Sequence, residues 1–349
     1  MEKKYYCGVC RRELQPSEGK QCKECGKLLS VDALEREMYE KDANAGCAIA
    51  QTILGNMYYN GDGIPQDYAE AKKWFEKAAE QGNAQAQFSL GIMYYNGDGI
   101  PQDYAKAKEL FEKAATNGLD RAQFSLGVMY EHGKVVTQDL KESVKWYRKA
   151  ANQGYAEAQF NLGLMCLKGQ EVLLNHSEAA KLFSQAANQG HTEAQFNLGN
   201  MYYNGDGIPQ DYAEAKKWFE KAAEQGNAQA QFKLGVIYYY GRGVSQNYDE
   251  AANLFRKAAD QGHKEAQFNL GLMYLKGQRV SPNHSEAAKL FSQASDQGHA
   301  GAQYSLGVMH YFGKGVDENH KKAIDLLKTA ARQGHMEAQN RLRKLGETW

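Results

Sequence analysis

This chain is poor in proline, and its cysteines are confined mostly to one end. Five prolines in 349 residues leave long helices possible. Four of the six cysteines lie within the first 25 residues. Only Cys47 and Cys166 remain for the rest, too few to staple a secreted protein of this length. Neither sign of charge is in excess: Lys+Arg and Asp+Glu are each 42, and a net charge of zero lacks the electrostatic footprint of a dedicated nucleic-acid or membrane-surface binder. No stretch approaches the ~20 apolar residues of a membrane span. The opening MEKKYYCGVC holds no apolar run that could serve as a signal peptide. The expectation is a soluble protein of a reducing compartment, the cytoplasm, with no membrane partner.

What the chain does have is repetition. Leu-Gly returns at Leu54-Gly55, Leu90-Gly91, Leu126-Gly127, Leu162-Gly163, Leu198-Gly199, Leu234-Gly235, Leu270-Gly271 and Leu306-Gly307, spaced 36 residues every time. A fixed period of this size means an array of one supersecondary unit, each burying its apolar face against its neighbours. In the unit Asn83 to Gly118, Ala86, Leu90, Met93 and Tyr94 fall at helical spacing, as do Ala107, Phe111 and Ala114. Between them GDGIPQD stops one helix and starts the next. Gly97 and its counterparts close the first helix and Gly118 and its counterparts the second, where a left-handed cap favours glycine.

Asp67, Asp103, Asp139, Asn175, Asp211, Asn247, Asn283 and Asn319 stand at the start of the second helix. Six of them are followed three residues later by glutamate (Glu70, Glu142, Glu178, Glu214, Glu250, Glu286), which predicts a reciprocal capping box; Lys106 and Lys322 break it in the other two. A mid-helix glycine costs about 1 kcal/mol against alanine. Its return in every Leu-Gly pair predicts close approach by a neighbouring helix. Phe75, Phe111, Tyr147, Phe183, Phe219, Phe255 and Phe291 supply the bulk, with Phe88 and its counterparts opposite. The fold class that follows is all-α, a solenoid of 36-residue helix-turn-helix repeats.

The boundaries read as 1–29 for a four-cysteine module, 30–46 for an N-terminal capping helix, 47–334 for eight repeats and 335–349 for a C-terminal capping helix. Met38 and Tyr39 stand where Trp74 and Phe75 stand; at the other end Arg343 replaces the packing glycine and Asn340 the phenylalanine. Residues 54–88 and 198–232 are identical, the mark of an internal duplication.

The pattern A-x-A-Q-x-x-L-G-x-M-Y-x-x-G-x-G-x-x-x-D-x-x-x-A-x-x-W-F-x-K-A-A-x-x-G resembles the Sel-one-like repeat, a relative of the tetratricopeptide repeat, over about Ser30 to Gly346. The resemblance implies a right-handed α/α superhelix that serves as an adaptor or scaffold for protein complexes. Secreted cousins carry a cysteine pair in each repeat; this chain lacks them, and nothing of that branch is transferred.

Cys7-Gly-Val-Cys10 and Cys22-Lys-Glu-Cys25 are two C-x-x-C pairs separated by eleven residues. Each can bend into a knuckle that puts two thiolates on one metal, so the four predict one structural zinc per chain in a closed tetrahedral site. Two disulfides, or free thiols, are the alternatives. The pattern resembles a short zinc ribbon and lacks the second ligand set of MYND and RING fingers. Lys3, Lys4, Arg11, Arg12, Lys20, Lys23 and Lys27 make the segment mildly basic, but Glu2, Glu13, Glu18 and Glu24 dilute the charge.

No catalytic constellation emerges. There is no H-E-x-x-H, and no histidine stands in a fixed relation to a nucleophile. His191, His263, His299 and His335 share the turn between units with Asn83 and Asn227, where they are expected to begin the next helix. The GDG of Gly61-Asp62-Gly63 is a turn, since no strand precedes it as in a phosphate loop. The expected function is a non-enzymatic scaffold binding a protein or peptide; the alternative is a zinc-ribbon nucleic-acid binder whose solenoid recruits other proteins. A monomer is the expected state. On the first helices the Ala, Leu and Gly columns are assigned to the core. That leaves a second face carrying Ser89, Asn96, Asn161, Asn197, Asn204, Lys233 and Asn269, with Tyr95, Tyr203 and Tyr239 beside it. The resemblance implies that this face lines the concave groove; a merely solvated face is the alternative.

Overall fold

The computed structural model describes residues 5–6, 13–14, 31–133, 136–278 and 281–349. Strands β1 (Tyr5–Tyr6) and β2 (Glu13–Leu14) pair antiparallel, Tyr5 opposite Leu14 and Tyr6 opposite Glu13. The other regular elements among the described residues are α-helices, divided between two compact units: residues 1–165 with 170–172, and residues 166–169 with 173–349. The first unit carries α1 (Val31–Asn44), α2 (Ala48–Asn60), α3 (Tyr68–Glu80), α4 (Ala84–Asn96), α5 (Tyr104–Thr116), α6 (Asp120–His132), α7 (Leu140–Asn152) and most of α8 (Ala156–Lys168). The second carries α9 (His176–Asn188), α10 (Thr192–Asn204), α11 (Tyr212–Glu224), α12 (Ala228–Tyr240), α13 (Tyr248–Asp260), α14 (Lys264–Lys276), α15 (His284–Asp296), α16 (Ala300–Phe312), α17 (His320–Arg332) and α18 (Met336–Leu345). Within each unit successive helices pack on one another, which is the expected all-α solenoid of 36-residue repeats.

The helix starts follow the predicted caps. Asp67 Oδ1 accepts from the N–H groups of Ala69 and Glu70; Asp139, Asp211 and Asn247 likewise accept two, whereas Asp103, Asn175, Asn283 and Asn319 accept one, from the residue three positions on. The reciprocal half of the capping box is not made. The N-cap N–H that the glutamate would need donates instead to the carbonyl of Tyr58 at 2.9 Å, closing the 61–67 connection onto the end of α2. Asp103, Asp139, Asn175, Asp211, Asn247, Asn283 and Asn319 repeat this bond in their own repeats. Glu70, Glu142 and Glu214 pair with Lys73, Lys145 and Lys217 one turn on. Cys47 is the extended residue before α2 and makes no side-chain cap.

The Leu-Gly glycines are explained by an aromatic ring. A Cβ on Gly55 would lie 2.6 Å from the Phe75 ring of the same repeat, and one on Gly91, Gly199, Gly235 or Gly271 would lie 2.7 Å from Phe111, Phe219, Phe255 or Phe291. These rings are essentially fully buried. At Gly307 the aligned residue is Leu327, and the nearest approach relaxes to 3.2 Å.

One polar column belongs to the core, a role absent from the sequence reading. Gln51, Gln87, Gln123, Gln195, Gln231, Gln267 and Gln303 are buried on the first helices. Gln51 Nε2 donates to the Ala43 carbonyl at 3.0 Å, on the helix before, while its Oε1 accepts from Gln81 Nε2 at 2.7 Å, at the end of the helix after. The later members repeat both bonds, with Asn117 standing for the outer glutamine at Gln87. A buried amide satisfied at both ends avoids the desolvation cost of an orphan, and it ties three consecutive helices at one level.

Candidate partner-binding face

Cys7, Cys10, Cys22 and Cys25 lie outside the described residues. Among the described residues no group of three or more His, Cys, Asp and Glu could hold a metal ion.

The exposed face of the first helices differs between the two units. In the first unit, Ser89 and Tyr95 are half-buried and Asn96 is exposed, all on α4. Tyr95 and Ile92 line a cavity of about 220 Å³ with Phe111, Phe124, Ser125, Val128 and Met129. Ser125 and Val128 on α6 stand one period after Ser89 and Ile92, so the slot forms where the same face of two successive first helices comes together. Its floor is apolar because the Phe111 ring that fills the Gly91 column reaches through to this side. The Tyr95 ring is steadied edge-on by Tyr104, with centroids 5.3 Å apart. Ser89 Oγ lies 3.5 Å from Gln85 Nε2, and Asn96 Nδ2 donates to Asp98 at 3.0 Å. Asn161 is half-buried and turned to the hydroxyl of Tyr147, which donates to Glu131 at 2.6 Å. Burial and then the Glu131 contact push the Tyr147 phenol well above its ordinary range.

In the second unit, two of the expected residues meet. Lys233 Nζ lies 5.5 Å from the Tyr203 ring, and Tyr239 follows one repeat on, its hydroxyl donating to Gln278 at 3.0 Å. Asn204 Nδ2 is held by Asp206 at 3.1 Å. Asn197 and Asn269 are less free than the sequence suggested: each side-chain amide donates to its own helix, to the carbonyls of Glu193 and Glu265 at 2.8 and 2.7 Å. Each keeps its oxygen and one remaining N–H for a ligand.

Arg242 belongs to this face and was not singled out by the sequence reading. Its guanidinium donates to the Tyr203 hydroxyl and lies 5.2 Å from the Tyr203 ring and 5.4 Å from the Tyr240 ring. The signal was present: Arg242 stands in GRG where Asp62, Asp98 and Asp206 stand in GDG. The cavity-lining Phe124 and Met129 were missed because each stands in a column assigned to the core.

The histidines are helix caps, as expected. Nδ1 of His191, His263, His299 and His335 accepts from the N–H of Ala194, Ala266, Ala302 and Ala338. His263 and His299 also stack on Phe232 and Phe268, with centroids 4.8 and 4.4 Å apart. Burial lowers the pKa of both below the ordinary histidine value. A neutral ring is what an accepting Nδ1 requires.

The family model of the Sel1 repeat matches eight consecutive stretches, residues 48–83, 84–119, 120–155, 156–191, 192–227, 228–263, 264–299 and 300–335. Among solved structures, the chain is similar to a protective antigen present in uropathogenic Escherichia coli strains and displaying an SLR fold. The two are 33% identical with a TM-score of 0.73, over 92% of this chain and 76% of that one. It is also similar to a Sel1 repeat protein from Oxalobacter formigenes, 33% identical with a TM-score of 0.65, over 88% of this chain and 89% of that one. No curated protein matches. No helix among the described residues is long and apolar enough to cross a membrane. Proteins of this repeat are in general scaffolds for protein interaction, and no catalytic family is indicated. Eight matched repeats in register with the helix pairs place the chain in the Sel1 repeat family.

Proposed function

We propose that this chain is a cytoplasmic, monomeric scaffold that binds a partner protein or peptide on the exposed face of its first helices. The family resemblance assigns that face to the concave side. The observation that carries the reading is the apolar slot at Ile92, Tyr95, Ser125 and Val128, which coincides with two of the face columns picked out from the sequence. A slot of this size takes one partner side chain, and the surrounding Ser89 and Asn96 offer hydrogen bonds to a peptide backbone. The test is a photo-crosslinking residue at Val128, compared with one at exposed Lys113 on α5. Crosslinks to a protein from Val128 alone, lost on competition by unlabelled full chain, are expected. Crosslinks from Lys113 alone would place the interface elsewhere. Binding of the captured partner is expected to persist at moderate salt, where a phosphate-dominated nucleic-acid contact would collapse.

The N-terminal segment is proposed to hold one structural zinc through Cys7, Cys10, Cys22 and Cys25. Two C-x-x-C pairs supply four thiolates and leave no open coordination position, so the metal would brace the segment rather than catalyse. The antiparallel pairing of Tyr5–Tyr6 with Glu13–Leu14 brackets the first pair, as a knuckle on a hairpin requires. Metal analysis of a reduced, purified sample is expected to give one zinc per chain. A metal-free sample would overturn the assignment.

A further inference from the structure

Two cations on one tyrosine stand out in the second unit. Lys233 Nζ and the Arg242 guanidinium both lie within 5.5 Å of the centre of the Tyr203 ring, and both are half-buried. Among the described residues neither forms an ion pair with a carboxylate. The only hydrogen bond its guanidinium makes among the described residues is to the Tyr203 hydroxyl, which leaves most of Arg242's five donors unspent. Most other lysines and arginines that meet a partner in this chain do so on their own helix, as Lys216 does with Glu220 and Lys217 with Glu214.

The chain supplies its own control. Residues 54–88 repeat residues 198–232, so Tyr59 has the same local surroundings as Tyr203. At the positions aligned with Lys233 and Arg242 in the next repeat stand Ser89 and Asp98. There the tyrosine donates to a carboxylate, Asp98, at 2.6 Å. The same pocket frame is thus anionic in one unit and carries two positive charges in the other.

We propose that the Tyr203–Lys233–Arg242 site binds an acidic peptide segment, a partner carboxylate taking the place that no carboxylate among the described residues fills. The assignment rests on the scaffold reading and names the chemistry of one of its contacts. Arg242 offers a planar fork suited to bidentate carboxylate binding, and stacking on Tyr203 and Tyr240 fixes its plane. Lys233 adds a point charge on the other approach to the ring.

The experiment uses the full chain and three fluorescent octapeptides of alternating sequence, Glu-Leu, Gln-Leu and Lys-Leu, followed by anisotropy. The Glu-Leu peptide is expected to bind at least tenfold more tightly than the other two, with an affinity that weakens as salt rises. The variant Lys233→Ser with Arg242→Asp installs the residues that the fold already accepts at 89 and 98, so it is expected to melt with the parent. It should lose that tenfold preference. The reverse variant, Ser89→Lys with Asp98→Arg, should gain affinity for the Glu-Leu peptide. Equal binding of the three peptides by the parent, or an unchanged preference in the Lys233→Ser, Arg242→Asp variant, overturns the proposal. So does a single-stranded oligonucleotide that binds as tightly as the acidic peptide and is lost in the same variant, because stacked bases would then be the better ligand. If the partner crosslinked at Val128 binds this variant as it binds the parent, the acidic site falls while the scaffold reading stands. If crosslinking at Val128 fails but the peptide preference holds, the scaffold face is misplaced and the acidic site stands.

Discussion

Residues 54–88 and 198–232 have one sequence and two settings. Inside each copy the structure is the same. Asp67 and Asp211 cap by the same pair of bonds, and Gln66 and Gln210 return to the Tyr59 and Tyr203 carbonyls at 2.8 and 2.9 Å. Lys77 and Lys221 cover Trp74 and Trp218 at 4.2 and 4.1 Å. At the edges the copies part. Tyr59 is a donor to Asp98, whereas Tyr203 is an acceptor from Arg242; Gln87 accepts from Asn117, whereas Gln231 accepts from Gln261. In a repeat array the interior of a unit is autonomous, and only side chains that reach the next unit take their chemistry from it.

The strongest test of that autonomy is the glycine column. Gly55→Leu and Gly199→Leu should each destabilise by roughly 1–3 kcal/mol through overpacking against a buried ring. The two losses should agree in urea denaturation, because Phe75 and Phe219 belong to the copies themselves. Markedly unequal losses would show that the neighbours, not the internal ring, set the column. Arg343→Gly at the exposed end of the same column should cost no more than about 1 kcal/mol, from helix propensity alone.

Next come the glutamines, whose partners straddle the copies. Gln87→Leu removes one donor from the Ala79 carbonyl and one acceptor from the Asn117 amide, and Gln231→Leu does the same to the Ala223 carbonyl and the Gln261 amide, while Gly82 and Gly226 N–H still serve the two carbonyls. Each should cost about 1 kcal/mol, the net worth of the hydrogen bonds lost. Chemical denaturation that shows no loss would mean water replaces the amide.

A smaller effect separates the units by pH. The second unit caps α14 and α16 with His263 and His299, where the first unit uses Asn83 at α4 and has Leu119, which makes no side-chain cap, before α6. Burial depresses the folded pKa of both histidines, so the unfolded chain takes up protons first as pH falls. Their contribution is complete above the unfolded value of about 6.5 and is lost as pH drops through the lower folded value. Melting temperature should therefore fall on going from pH 7.5 to pH 5. In His263→Asn with His299→Asn, which keeps an accepting cap, that fall should shrink. A fall of unchanged size would assign it to other groups.

The smallest expected change is at Tyr59. Burial, and then its bond to Asp98, pushes this phenol up to about 12. Asp98→Asn should bring it down part of the way, since burial remains, as followed by NMR of labelled tyrosine. No movement would make burial the sole cause.

Much of the fold could be read from residues because its determinants are local. An N-cap oxygen serves N–H groups two or three positions on, and a glycine cap answers to its own φ, so Asp67 and Gly97 declare themselves in one repeat and are confirmed by the others. The face residues Ser89, Asn96 and Tyr95 were legible from helical spacing. The failure of the reciprocal capping box was not, because the competing acceptor, the Tyr58 carbonyl, lies on the previous helix. Nor was the neighbour of Asn161, whose amide meets the Tyr147 hydroxyl.

The sequence by itself determined the period, the helix pairs, their caps and the family, since each follows from which residues recur every 36 positions. The tertiary structure alone decided what each exposed position touches. Identical residues at Tyr59 and Tyr203 became a donor and an acceptor because electrostatics act through space, and the residue that arrives there from the next repeat carries the opposite charge.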